Sequence, residues 1–266
     1  MTSIVGALLF GSLPTDAQTN APTADHFVYL PTTQRSFACP QTSQNKFDLT
    51  QVNGGYYKGN RLTDENADFR LSILGYAPAL EAAQIVTYSQ QPDGNAVKLS
   101  GLLRRVPTFV AAYRVRNWNW DDGVGSSPPY GTPGAVNGDT QIPPIVLDVD
   151  TTLSEAVFAP TRGLVIDGAN HVALVLYAAE TEITLMYGNQ DSVVNGYLVH
   201  LVNLCVDPNL VLLYRAQLSV GKRSTGKLPA VRSGQQLGTA SGAQLTLAVR
   251  DTGRYMDVRS AKDWWR

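Results

Sequence analysis

Asp148 and Asp150 stand two residues apart, so on a strand their carboxylates share a face. Such a pair can bind calcium or exchange protons, or it can simply cap a turn or face solvent. Trp118 and Trp120, in Asn117-Trp118-Asn119-Trp120, share a face in the same way. Two apolar rings set among amides can stack on sugar rings through their faces, or they can pack into a core. Asp121-Asp122-Gly123 follows in a long loop. It offers oxygen ligands for a ligand or for calcium, but too few at regular spacing for a complete calcium loop. Cys39 and Cys205 are the two cysteines. In an exported chain they are expected to form one disulfide, and in a reducing compartment to stay free. His26 and His171 have no partner at metal-ligand spacing. No G-x-S-x-G elbow or phosphate-binding glycine loop is present. Cys205 and His200, five apart, lack the electropositive setting of a reactive thiolate.

Several phrases of the last 125 or so residues fall in the order found in the lysostaphin-type zinc peptidases. Ser154-Glu155-Ala156-Val157-Phe158-Ala159-Pro160-Thr161-Arg162-Gly163-Leu164-Val165 matches G-T-P-V-Y-A-P-x-x-G-x-V. Tyr197-Leu198-Val199-His200-Leu201 matches L-Y-A-H-L, and Val231 to Gly238 matches V-x-x-G-Q-x-I-G. Gln244-Leu245-Thr246-Leu247-Ala248-Val249-Arg250 stands where the family has H-L-H-F-E-V-R. The C-terminal half therefore resembles that family. The resemblance implies a β-sheet fold of barrel-sandwich type and a zinc site built by H-x-x-x-D and the second histidine of H-x-H. Of those ligands only the aspartate survives, as Asp148; the two histidines fall on Pro144 and Thr246. Of the two helper histidines one is replaced by Gln244, and the other matches His200. A catalytic zinc needs three protein ligands and an open position for water, so the resemblance implies a pseudo-peptidase without cofactor, with His200 and Asp148 as remnants. His200 has a plain alternative as a strand-face histidine bonded to a neighbour.

The elements that must position these residues are mainly strands. Phe69–Leu74 alternates apolar and polar, and Ala83–Tyr88 and Phe109–Val115 read similarly. Pro78–Ala83 suggests a helical turn, and Gln91–Asn95 a tight turn. Residues 121–141 are rich in Gly, Pro, Ser and Asp and read as a long loop, either at a domain boundary or rimming a groove. Beyond it, Ile145–Leu147, Val157–Pro160, Gly163–Ile166, a hairpin of Val172–Tyr177 with Ile183–Tyr187, Tyr197–Leu201 and Gln244–Arg250 read as strands. A short helix is expected over Asp207–Arg215, with Asp207 as N-cap and Pro208 first.

The predicted organisation is a leader and tether over 1–24, a β-rich N-terminal region over 25–140 and a degenerate lysostaphin-like domain over 141–266. The apolar run Ile4–Leu13 fits a secretory signal core, although a basic start is missing. It is too short to span a bilayer, and no other segment is long enough. With 44% apolar and 16% charged residues the chain can bury a core rather than stay disordered. A net charge of -1 and no basic tract exclude non-specific nucleic-acid binding. The expectation is an exported, non-catalytic protein of the cell envelope or extracellular space. Its groove is expected to bind peptidoglycan, another polysaccharide or an envelope protein. A hydrolase relocated around Asp148 and His200, and a structural surface-assembly protein, are the alternatives.

Overall fold

The computed structural model describes residues 38–54, 61–120 and 130–266. Its strands, in chain order, are β1 (Asp48–Gln51), β2 (Tyr76–Pro78), β3 (Phe109–Trp120), β4 (Gly131–Val136), β5 (Ile145–Asp150), β6 (Ala156–Phe158), β7 (His171–Ala178) and β8 (Glu182–Tyr187). They continue with β9 (Tyr197–Val202), β10 (Leu204–Val206), β11 (Leu218–Ser219), β12 (Lys222–Arg223), β13 (Lys227–Arg232), β14 (Gln236–Ala240), β15 (Gln244–Asp251) and β16 (Arg254–Tyr255). The α-helices are α1 (Leu71–Leu74), α2 (Pro208–Arg215) and α3 (Ala261–Trp264). The protein is thus mainly β. An antiparallel sheet runs β1-β13-β7-β8-β9-β15-β5-β3-β2, with β16 added to β15 and β4 to β3. Its path is open, so among the described residues it does not close into a barrel. A smaller sheet, β10-β14-β6, packs beside it.

The sheet is covered on both faces, which is why β7, β8 and β9 are buried at every position and read as apolar runs rather than alternations. On one face Leu147, Leu185, Leu201 and Leu247 meet Val157, Leu237, Leu210 and Tyr214 in the main core. On the other, Val146, Val202 and Ala248 meet Ala67, Leu71 and Leu74. Strands on either side of residue 140 pair directly, β3 with β5, and Phe69 and Val97 join the main core with Leu147. The described residues before and after residue 140 therefore share one sheet and one core.

The segment across the second face corrects the strand expected at Phe69–Leu74. Leu71 and Leu74 are buried at helical spacing, and Gly75, at φ 79°, ends the turn. The segment is tied to the sheet by polar contacts. The buried Glu182 carboxylate accepts Arg70 Nε at 3.1 Å, Ser72 N at 3.0 Å and Ser72 Oγ at 2.6 Å. Asp64 accepts Tyr177 Oη and Arg215 Nη1, both at 2.8 Å. Ala83–Tyr88 forms no strand beyond a bridge from Val86 to Ser260. Pro78–Ala83 is not helical and Gly163–Ile166 is not a strand. The loop expected over 121–141 contains β4, which pairs with β3 as a hairpin. The 172–177/183–187 hairpin, the strands at 197–201 and 244–250 and helix α2 with its Asp207 cap are present.

Cys39 and Cys205 form a disulfide. Beside it, Asp207 Oδ2 accepts Ser43 Oγ at 2.5 Å and Asn45 Nδ2 at 2.7 Å. The disulfide and these bonds fix the start of the described chain to β10 and the N-terminus of α2. The leader and tether expected over 1–24 lie outside the described residues, and no described helix is long and apolar enough to cross a membrane.

Candidate functional site

β5 and β15 place Asp148 directly opposite Thr246. Thr246 Oγ1 donates to Asp148 Oδ1 at 2.6 Å, Tyr113 Oη donates to Asp148 Oδ2 at 3.0 Å, and Asn203 Nδ2 donates to Thr246 Oγ1 at 2.9 Å. Asp148 is 5% exposed. Burial raises the pKa of Tyr113 first, and its bond to the Asp148 carboxylate adds to that; the phenol therefore stays a donor. This is a closed hydroxyl–carboxylate network.

The residues at the positions given by the zinc-peptidase resemblance do not fit zinc. Thr246 is a neutral hydroxyl already hydrogen-bonded, and Pro144 has no donor atom in its side chain. Among the described residues, no three His, Cys, Asp or Glu side chains are grouped to hold a metal.

Asp150, on the same strand, is held separately. Its Oδ1 accepts Thr108 N at 2.6 Å and Arg105 Nη1 at 3.0 Å, and Arg105 also donates to Glu155 at 2.6 Å. Burial pushes the Asp150 carboxyl up, but the Thr108 amide and the Arg105 guanidinium outweigh it and hold it below its usual range. Asp148 and Asp150 thus have different hydrogen-bond partners.

His200 sits on β9, with β15 between it and β5. It is fully buried. Thr184 Oγ1 donates to the Phe69 carbonyl at 2.5 Å, so its 2.9 Å contact with His200 Nδ1 requires the imidazole to donate. Nδ1 then carries the proton, and Nε2 is a lone pair with no hydrogen-bond partner. The ring stacks on Tyr255 at 5.7 Å. Burial, followed by the nearby Arg250 charge, lowers its pKa to about 3. This is a buried strand-face histidine bonded to a neighbour and linked to the covering segment through Thr184.

Trp118 and Trp120 border a different space. β3 bears both, with ring centroids 6.1 Å apart in an edge-to-face arrangement. Trp118 Nε1 donates to the Tyr130 carbonyl at 3.2 Å, and the Arg61 guanidinium lies 4.9 Å from the Trp120 ring centre. They line a cavity of about 490 Å³ together with Arg116, Asn117, Asp139, Arg250, Arg254 and Tyr255. Its volume is in the range of small-molecule sites. Asp121 and Asp122 lie outside the described residues. Sequence reading missed the arginines. Arg116 stands two before Trp118 and four before Trp120, a period-two signal that was present. Arg250 and Arg254 arrive only through the β15–β16 turn.

No known family model, curated protein or solved structure matches the chain.

Proposed function

We propose that this chain is an exported, non-catalytic binding protein that holds a carbohydrate segment in the cavity beside the β3–β4 hairpin. A cell-wall or other extracellular polysaccharide is the proposed source. The observation carrying this reading is the composition of the cavity wall, where Trp118 and Trp120 stand beside Asn117, Asp139 and several guanidinium groups. A sugar ring presents apolar C–H faces and a hydroxyl rim, so it needs an aromatic surface together with planar hydrogen-bonding groups. The disulfide supports an oxidising compartment. The non-catalytic part rests on Asp148 and Thr246 being spent on each other and on His200 lying sealed under the covering segment. The resemblance to the lysostaphin-type peptidases remains part of the proposal, as the ancestry of that replaced site.

Calorimetric titration with soluble cello-, chito- and uronic-acid oligosaccharides tests it. At least one class is expected to bind, with Trp118→Ala weakening it about three- to tenfold, the loss of ~0.5–1.5 kcal/mol of ring stacking. An unchanged melting temperature would show that the variant is folded. No binding in any class, with concentration-dependent self-association of the intact protein, would turn the reading to surface assembly.

A further inference from the structure

The charges around the cavity are unevenly matched. Arg250 Nη1 lies 3.4 Å from Asp68 Oδ1, and its Nε and Nη2 donate to the Gly253 carbonyl. Arg254 is paired with Asp139, whose other oxygen accepts Gln141 N at 2.9 Å and Ile142 N at 3.1 Å. Arg116 has no carboxylate partner among the described residues. Its backbone N–H donates to the Gly75 carbonyl at 3.0 Å, and its Nη1 donates to the Gly134 carbonyl at 3.1 Å. The first bond fixes the backbone beside the end of α1; the second anchors the side chain to β4 and, among the described residues, leaves most of its five N–H donors uncommitted. Arg116, Trp118 and Trp120 occur at a period of two along β3 and border one cavity. Together they make a cation followed by two aromatic rings along one wall.

We infer that the cavity selects a saccharide bearing a carboxylate, a uronic-acid unit, with Arg116 receiving the carboxylate while neighbouring rings meet Trp118 and Trp120. The inference rests on the carbohydrate reading of this cavity. A guanidinium matches a carboxylate in a two-bond fork, and such charge-assisted bonds are stronger than neutral ones. A neutral sugar would leave the unmatched cation of Arg116 partly desolvated without a counter-charge, which lowers its affinity.

The test titrates the intact protein with a galacturonate trimer and with the same trimer fully methyl-esterified, which keeps the rings and removes the charge. The acid is expected to bind at least about tenfold more tightly than the ester, the range of one charge-assisted hydrogen bond. Arg116→Gln is expected to erase that preference by weakening acid binding more than ester binding, and Arg116→Lys to restore part of it, since the charge returns without the fork. Melting temperature and tryptophan fluorescence of both variants confirm the folded state. Equal affinity for acid and ester, or an acid preference that Arg116→Gln leaves intact, overturns the inference and spares the carbohydrate reading. Absence of binding by these trimers and by neutral cello- and chito-oligosaccharides overturns both.

Discussion

Lowering the pH from 7 to 4 is expected to destabilise this protein steeply through His200, before most carboxylates titrate. In the unfolded chain its pKa is near 6.5, and in the fold burial brings it to about 3. The folded state therefore holds the neutral form and the unfolded state takes the proton. The stability that depends on the neutral ring is complete above pH 6.5. It falls between pH 6.5 and about 3, by roughly 1.4 kcal/mol per pH unit for one proton. The total is on the order of 4–5 kcal/mol, comparable with the whole stability of many domains. Urea denaturation of wild type and His200→Gln at pH 7.5, 6, 5 and 4 measures it. The variant should be less stable at pH 7.5, because a differently shaped side chain replaces the ring against Tyr255. Its stability should change little down to pH 5. Parallel pH curves for the two proteins would show that His200 titrates normally and that the covering segment does not seal it.

Removal of the disulfide has the second large effect. Cys39 and Cys205 are separated by 166 residues, and releasing so long a loop in the unfolded state is expected to cost about 2–5 kcal/mol. The double variant Cys39→Ser/Cys205→Ser should show this as a lower urea midpoint, and chemical reduction of the wild type should reproduce it. Residues 38–45 should lose amide-exchange protection first, since their remaining ties include the bonds of Ser43 and Asn45 to the Asp207 carboxylate and those of Asn209 Nδ2 to the Ser43 and Asn45 carbonyls. Saccharide binding should persist in the folded double variant, because no residue of that segment borders the cavity. A midpoint unchanged by both treatments would contradict this account of the bond.

Several strands of the second half were legible from apolar runs flanked by turn residues, whereas β10, β13 and β14 were not read and the apolar Gly163–Ile166 forms no strand. Val172–Tyr177 and Ile183–Tyr187 could hardly be anything else, and Asp207-Pro208 announced its helix by cap chemistry alone. The residues around 61–78 were not legible. Phe69–Leu74 alternates as a strand does, yet Leu71 and Leu74 also stand at helical spacing, and only the sheet face beneath them decides between the two. β4 was hidden for a different reason. Its sequence Gly131-Thr132-Pro133-Gly134 has the composition of a loop, but the glycines are what bring the strand close to β3. A Cβ at Gly131, where φ is 130°, would lie 2.4 Å from Trp118 Nε1 and 2.3 Å from the Asn119 carbonyl. The candidate site divides in the same manner. Trp118 and Trp120 were visible as a pair on one face, whereas the arginines opposite them come from a distant turn. His200 was visible as a residue, but its environment comes from Thr184, Tyr255 and the Phe69 carbonyl, which sequence spacing does not connect.

Asp148 and Thr246, proposed above as the replaced remnants of a zinc site, bond to each other across β5 and β15 and help hold the sheet together. Metal analysis of the purified, tag-free protein, before and after incubation with zinc and beside Asp148→Ala, tests it most directly. The expected result is far less than one tightly held zinc per chain, with the same weak uptake in Asp148→Ala, because Thr246 and Tyr113 already occupy the Asp148 carboxylate. One zinc per chain that survives dialysis and disappears in Asp148→Ala would contradict the account, and the protein would then have to be assayed as a metallopeptidase.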